Sequence, residues 1–416
     1  MKSSFSTVSM IGLGYIGLPT AAMLASRKIK VIGVDINQHA VDTINRGEIH
    51  IVEPELDIIV QAAVSQGYLR ATTKPEPADA FLIAVPTPFK GDHEPDLSYV
   101  EAAAKSIAPV LKKGDLVILE STSPVGTTEQ MAVWLAQART DLSFPHQAGE
   151  QADVNVAYCP ERVLPGKVVH ELVGNDRVIG GMTQRCSQRA TELYKTFVEA
   201  ECIPSNARTA EMCKLTENSF RDVNIAFANE LSIICDKLGI NVWELIKLAN
   251  HHPRVNILQP GPGVGGHCIA VDPWFIVSKT PEEARLIHAA RQVNDSKPHY
   301  VVNQVAAAAT SVAEPVIACL GLAFKPDIDD LRESPAMEVV RLLAERKIGQ
   351  ILAVEPHIEQ IPQLLAGFGN IELISSDEAV RRANIVVMLV SHQSFHEIDT
   401  GLLQGKHVID TRGVWQ

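Results

Sequence analysis

The sequence predicts an α/β protein in which two Rossmann-like doubly wound domains are joined by a central helical domain with a long helix. Three observations carry that prediction. Through about Pro204, short apolar runs alternate with helical patterns, the rhythm of a doubly wound parallel sheet. From Ala207 to Leu248 the apolar period turns helical, with one stretch from Thr209 to Leu238 closed by Gly239. Apolar runs resume at Val316 to Leu320, Ile351 to Val354, Ile385 to Val390 and Val408 to Ile409, separated by helical segments such as Pro335 to Arg346. The domains follow as 1–205, 206–310 and 311–416, each long enough for its own core.

In the first segment the strands read as Thr7 to Ile11, Val31 to Val34, Phe81 to Val85, Leu116 to Leu119, Val154 to Tyr158 and Val178 to Ile179. The first runs straight into Gly12, Gly14 and Gly17 of GLGYIG, after which Leu18 to Ala25 reads as a helix. Asp35 ends the second apolar run and completes a dinucleotide fingerprint. The glycines let a pyrophosphate meet the helix amino terminus, and Asp35 can accept from both ribose hydroxyls. A carboxylate there repels a 2′-phosphate, and Ile36, Asn37 and Gln38 offer no arginine to bind one. The cofactor is therefore expected to be NAD rather than NADP.

The chain has 416 residues and a formal net charge of -12, which argues against nucleic-acid binding by bulk charge. Its seven cysteines contain no C-x-x-C pair, so a reducing compartment is expected and a zinc site, or any other metal, is not. No apolar run approaches the roughly 18 residues of a membrane span, and the first dozen residues carry no secretory pattern. A cytoplasmic protein without membrane partners is the expectation.

The central segment supplies the chemistry. On the long helix Lys214, Asn218 and Arg221 share one face, while Leu215, Phe220, Val223, Phe227 and Leu231 mark an apolar surface. Beyond it lies GPGVGGHCIAVDP, Gly261 to Pro273, where Cys268 follows four closely spaced glycines and Asp272 comes four residues later. Glycine at that density lets the backbone approach a ligand closely, which an inert core thiol does not need. A lysine and an amide near a thiol can hold the oxygen of a tetrahedral intermediate. Together with a dinucleotide site, this points to oxidation through a covalent intermediate.

Seven motifs, in this order, resemble those of the nucleotide-sugar 6-dehydrogenases: GLGYIG, PTP at Pro86 to Pro88, STSPVG at Ser121 to Gly126, CPER at Cys159 to Arg162, the K-x-x-x-N of Lys214 and Asn218, GPGVGGHC, and GLAFKPDIDDLRESP from Gly321 to Pro335. The resemblance covers essentially the whole chain. Within that family the loop is most similar to members acting on UDP-N-acetyl-D-mannosamine, because His267 precedes the cysteine and Val271 stands where UDP-glucose enzymes carry a lysine.

The resemblance implies a role for each matching residue. Cys268 would be the nucleophile, Lys214 and Asn218 would stabilise the oxyanion, and Glu161 and Asp272 would handle protons, with a water held by Thr122. Tyr15, Ile16, Asp35, Thr87 and Thr122 would line NAD beside the three glycines, with Thr128 at the next helix start and Arg332 reaching in from the third segment. Arg162, Val163, Arg221, Gly265 and Lys325 would contact the UDP-sugar together with Lys214 and Asn218. His252 and Arg254 resemble a segment donated across a homodimer interface, so that each site would be completed by the partner. A single-step hydroxyacid dehydrogenase could share the fold, but it has no need of Cys268 or of the third segment.

Overall fold

The computed structural model describes residues 5–91, 93–164 and 166–415. Residues 1–4, on which the expectation of no secretory segment partly rests, lie outside the described residues. The chain packs as two compact units, one ending at Thr216 and the other beginning at Glu217.

In the first unit the strands are β1 (Thr7–Ile11), β2 (Lys30–Val34), β3 (Leu69–Thr72), β4 (Ala80–Ile83), a small hairpin of β5 (Phe89–Lys90) and β6 (Glu94–Pro95), then β7 (Leu116–Leu119), β8 (Asn155–Tyr158), β9 (Arg177–Gly181) and β10 (Cys202–Asn206). All but the hairpin form one eight-stranded sheet in the order β10-β9-β8-β7-β4-β1-β2-β3. Strands β4, β7 and β8 are buried along their whole length, which explains their unbroken apolar runs. Helices on both faces enclose two apolar cores, one around Leu18 and Leu82 and the other around Phe81 and Phe144.

The sheet departs from the expected parallel pattern at one place. β9 runs antiparallel to β8, with Ala157 opposite Gly181 and Tyr158 opposite Gly180. Side-chain periodicity marks a strand without fixing its direction, so the sequence could not reveal this. Continuing that register toward the sheet edge sets Arg177 opposite Glu161, and their side chains meet at 2.8 Å. Strand reversal thus delivers an arginine to the carboxyl ends of β7 and β8.

The 32-residue helix Ala207–Leu238 carries the boundary between the units and ends at Gly239, whose φ of 69° is left-handed. Leu215 is buried, but Phe220 and Phe227 are 70% and 52% exposed, so the expected apolar surface is divided between core and solvent. The second unit adds the helices Val242–Ala249, Asp272–Lys279 and Arg285–Ala309. Its sheet contains β11 (Val316–Leu320), β12 (Gln350–Val354), β13 (Ile371–Leu373), β14 (Ile385–Met388) and β15 (His407–Asp410). The order is β13-β12-β11-β14-β15, all parallel, as a second doubly wound sheet requires.

One polar contact fastens the start of the long helix. Glu211 is fully buried and accepts from the Gly126 and Thr128 amides at 2.6 and 2.8 Å and from the Thr128 hydroxyl at 2.6 Å. It therefore caps the helix Thr127–Ala138 with a carboxylate where the helix dipole favours one. Glu211→Ala leaves two buried donors on Thr128 and a half-buried one on Gly126 unpaired and is expected to cost about 1–3 kcal/mol of stability. Urea unfolding followed by circular dichroism measures this, and an unchanged midpoint would refute the cap.

Candidate active site

In the first unit the dinucleotide motif is built as the sequence requires. Gly12 has φ +90° and makes the turn, a Cβ on Gly14 would meet nothing within 4 Å, and one on Gly17 would lie 1.8 Å from the Gly12 carbonyl oxygen. The three positions thus supply the turn, open space for a pyrophosphate and a close helix-to-strand approach. Asp35 is half-buried, with one oxygen accepting from Leu13 N and the other from Asn37 N, both at 2.9 Å. Each oxygen keeps lone-pair capacity for a ribose hydroxyl. Tyr15 is exposed and Ile16 half-buried at the helix start. These residues fit NAD.

The carboxyl ends of β4, β7 and β8 gather the next three motifs. Thr87 donates to the Thr122 carbonyl at 2.7 Å, and Ser121 donates to the Val85 carbonyl while accepting from Val85 N. The PTP and STSPVG turns are therefore locked to each other. Thr122 is half-buried, whereas Thr128 is buried with its hydroxyl and amide both committed to Glu211. In CPER, Glu161 is 8% exposed and held between Arg177 and the Arg162 amide. Arg162 reaches the Asp176 carbonyl, and Val163 packs on the core.

The second unit assembles the thiol loop. Cys268 is half-buried, and its carbonyl accepts from Val271 N at 3.0 Å and Asp272 N at 2.8 Å. That turn leads directly into the helix Asp272–Lys279. Asp272 is 2% exposed and accepts from Asn218 Nδ2 at 2.5 Å. Lys214, half-buried, stands one turn before Asn218 on the same helix, and Arg221 is exposed. Asn229 fixes the front of the loop by accepting from Gly261 N at 2.8 Å, and it donates in turn to Asn294.

Lys325 is exposed, and Arg332 forms a bidentate pair with Asp330. His252 and Arg254 are exposed on a loop closed by two Asn250–Ile257 hydrogen bonds. The ligand atoms of Asp327, His357 and His392 lie within 4.8 Å of one another beside Lys325. His392 Nδ1, however, accepts from Asp327 N, and its Nε2 faces Glu355 at 3.1 Å, so both ring nitrogens are occupied in ordering that loop.

Sequence reasoning passed over three residues here. Glu120 and Arg177 are buried polar groups inside apparent strand ends, and their partners come from distant segments. Arg412 donates Nε to the Leu389 carbonyl and sets its guanidinium against Gly261. Burial lowers its pKa to about 10, with Asp410 opposing. Its position just past the last strand of an open α/β sheet was the available signal.

This combination of dinucleotide turn, thiol loop and second doubly wound sheet is a dehydrogenase architecture, and comparison with known proteins assigns the family. Residues 6–198 match the NAD binding domain of the UDP-glucose/GDP-mannose dehydrogenase family, 208–296 its central domain and 318–416 its UDP binding domain. The chain belongs to that family and is an NAD-dependent UDP-sugar dehydrogenase. It is 69% identical over 415 residues to an NDP-N-acetyl-D-galactosaminuronic acid dehydrogenase of Ralstonia solanacearum, covering 100% of this chain and 97% of that one. It is 68% identical over 421 residues to a UDP-N-acetyl-D-mannosamine dehydrogenase of Yersinia pestis, covering 99% and 100%. A solved UDP-D-ManNAc dehydrogenase from Pyrococcus horikoshii superposes with a TM-score of 0.88 at 38% identity, covering 99% of this chain and 96% of that one.

Cofactor choice rests on Asp35 and its neighbour Ile36, which is 92% exposed. Asp35→Ala combined with Ile36→Arg removes the repelling carboxylate and adds a phosphate partner. The double variant is expected to shift the NAD to NADP ratio of kcat/KM toward NADP by at least about tenfold. An unchanged ratio would mean that Asp35 does not read the ribose.

Proposed function

We propose that this enzyme oxidises the C6 alcohol of UDP-N-acetyl-D-mannosamine to the uronate in two steps, for bacterial surface polysaccharide synthesis in the cytoplasm. The observation that carries the chemistry is the pairing of half-buried Asn218 with buried Asp272 at the end of the turn that starts at Cys268. Bound NAD accepts one hydride per oxidation, so converting an alcohol to an acid consumes two. The aldehyde of the first step is captured by the Cys268 thiolate as a thiohemiacetal, whose further oxidation leaves a thioester that water cleaves. Lys214 and the Asn218 amide hold the oxygen on the tetrahedral carbon. Glu161 and Asp272 move protons, with a water held by Thr122. The 1–205 segment holds NAD, 206–310 the nucleophile and 311–416 the UDP group, with Lys325 beside the diphosphate and Arg332 reaching the cofactor from the same long loop.

Two relatives of nearly equal identity carry names with different N-acetylated sugars, which supports a 2-acetamido substrate over UDP-glucose. A pocket built for the acetamide leaves polar groups unpaired around glucose, at a cost of about 1–3 kcal/mol or roughly 10- to 100-fold in rate. Comparing kcat/KM for UDP-N-acetylmannosamine, its galactosamine and glucosamine isomers and UDP-glucose tests the assignment. Preference for another isomer would correct the stereochemistry, and preference for UDP-glucose would overturn the assignment.

The Cys268→Ala variant is expected to bind NAD normally yet form less than about one thousandth of the wild-type uronate. Wild-type enzyme is expected to release two NADH per UDP-sugar. Normal acid production by the variant would exclude the covalent route.

A homodimer completes the proposal. Phe220, Phe227, Ile234 and Leu238 are exposed at heptad-like spacing on the long helix, which suits a helix from a second copy. The exposed His252 and Arg254 would then reach the partner's site. Phe220→Glu with Phe227→Glu is expected to give monomers by light scattering with much reduced activity, and a persistent dimer would place the interface elsewhere.

A further inference from the structure

A sealed cluster of ionisable groups lies under the proton-handling Glu161, and the reaction as described leaves part of it unused. Glu120 follows β7, Cys159 and Glu161 follow β8, Arg177 opens β9, and Tyr194 ends the helix Gln184–Tyr194; none is more than 8% exposed. Tyr194 donates its hydroxyl to Glu120 Oε1 at 2.6 Å, while Glu120 Oε2 has no hydrogen-bond partner among the described residues. The Arg177 guanidinium lies 4.8 Å from the Tyr194 ring centroid, donates to Glu161 at 2.8 Å and reaches the Cys159 sulfur at 3.7 Å.

We propose that Glu120 is a positioning residue for Glu161, coupling the hold of Arg177 on that carboxylate to the protonation of a second, buried carboxyl group. This rests on Glu161 handling protons, as proposed above.

Charge has to balance among groups that are almost fully buried. One guanidinium neutralises one carboxylate, and Glu161 has the direct contact. Glu120 then carries its proton, since a neutral carboxyl group with one unpartnered oxygen costs far less to bury than a second carboxylate charge. Burial pushes the Glu120 pKa up to about 7; Arg177 pulls it down, Glu161 adds to the rise and the Tyr194 hydroxyl lowers it. Cys159 stays a neutral thiol there, because burial raises its pKa to about 12. Below neutrality Arg177 belongs to Glu161 alone. Above it, ionised Glu120 becomes a second anion for the same cation, and the hold of Arg177 on Glu161 changes.

The test is the pH profile of kcat with saturating UDP-sugar and NAD, over pH about 5.5 to 9. Wild-type enzyme is expected to show an inflection near pH 7 with at least about a twofold change in kcat. Glu120→Gln keeps an acceptor for Tyr194 and mimics the neutral acid. It should match wild-type kcat at the acidic end within about twofold and lack the inflection, with KM for the UDP-sugar unchanged. Tyr194→Phe, which also serves if Glu120→Gln does not fold, removes the donor that stabilises the charged form, so the inflection should move to higher pH. An inflection retained in Glu120→Gln, or unmoved in Tyr194→Phe, overturns the inference, as does its absence from the wild type. Glu161→Gln measured alongside separates the two ideas. Wild-type kcat in that variant removes the proton role of Glu161 itself, whereas impairment there with an unaltered Glu120→Gln profile removes only the role of Glu120.

Discussion

The reacting loop depends on one steric constraint, the absence of side chains where it crosses the third-segment motif. A Cβ at Gly265 would sit 2.5 Å from the Glu333 carbonyl oxygen and 2.8 Å from both Phe324 Cβ and Pro335 Cδ. The next residue, Gly266, has φ +82°, lies against the Phe324 ring and donates its amide to the Arg332 carbonyl at 3.2 Å. Backbone therefore packs on backbone and ring, and Cys268 enters its turn from a fixed platform. Because that platform is GLAFKPDIDDLRESP itself, the segment carrying Lys325 and Arg332 and the segment carrying the thiol are mechanically one piece. Under the proposed mechanism, a fixed separation between the Cys268 thiol and Lys325 is what addition of that thiol to a bound aldehyde needs.

Buried charge supports this framework in both units. Arg291, at 2% exposure, donates to Asp222 at 2.6 Å, and Asn294 donates to the same carboxylate at 2.8 Å while receiving Asn229. The chain of contacts ends at Gly261 N, so the network sets the entry of the thiol loop. Burial raises the Asp222 pKa, with Arg291 opposing. Pairs of this kind contribute little net stability compared with apolar packing, and removing one partner costs several kcal/mol. Their value here is placement, since a charge that finds its partner in only one arrangement excludes the neighbouring ones.

The strands most legible in the sequence were those buried on both faces, such as Phe81 and Leu116 onward, because continuous apolar runs have few other uses. The edge strand Cys202–Asn206 escaped notice because only its first residue is buried and it contains Pro204. The glycine-rich turns were equally legible, since Gly12 and Gly266 take the positive φ angles that other residues avoid. Glu120 was not. It ends an apolar run as a solvent-facing residue does, and the hydrogen bond that its carboxyl group accepts comes from Tyr194, 74 positions away. The strand reversal that brings Arg177 to Glu161 leaves no periodic signature at all.

The two doubly wound sheets also show how one turn is kept while its use changes. In the first, Gly12 N donates to the Val34 carbonyl and Leu13 N to Asp35; in the second, Gly321 N donates to the Val354 carbonyl and Leu322 N to Glu355. The φ angles of the two glycines, 90° and 94°, nearly coincide. Beyond that point they diverge, because Ala323 and Pro326 occupy the positions of Gly14 and Gly17. Without the third glycine the close helix approach is lost, and the helix is postponed to Pro335–Glu345 behind a long loop. The acid changes as well. Glu355 is 5% exposed, with one oxygen surrounded by Leu322 N, Ala323 N and His392 Nε2 and the other accepting from His357 N at 3.3 Å, so both oxygens are engaged by the chain around them. Burial works against its charge, yet these donors outweigh it and hold its pKa below the ordinary value. Where the first sheet has an acid with an open lone pair, the second has an internal anchor, and the loop it anchors presents Lys325, the cation proposed to meet the diphosphate of the UDP-sugar.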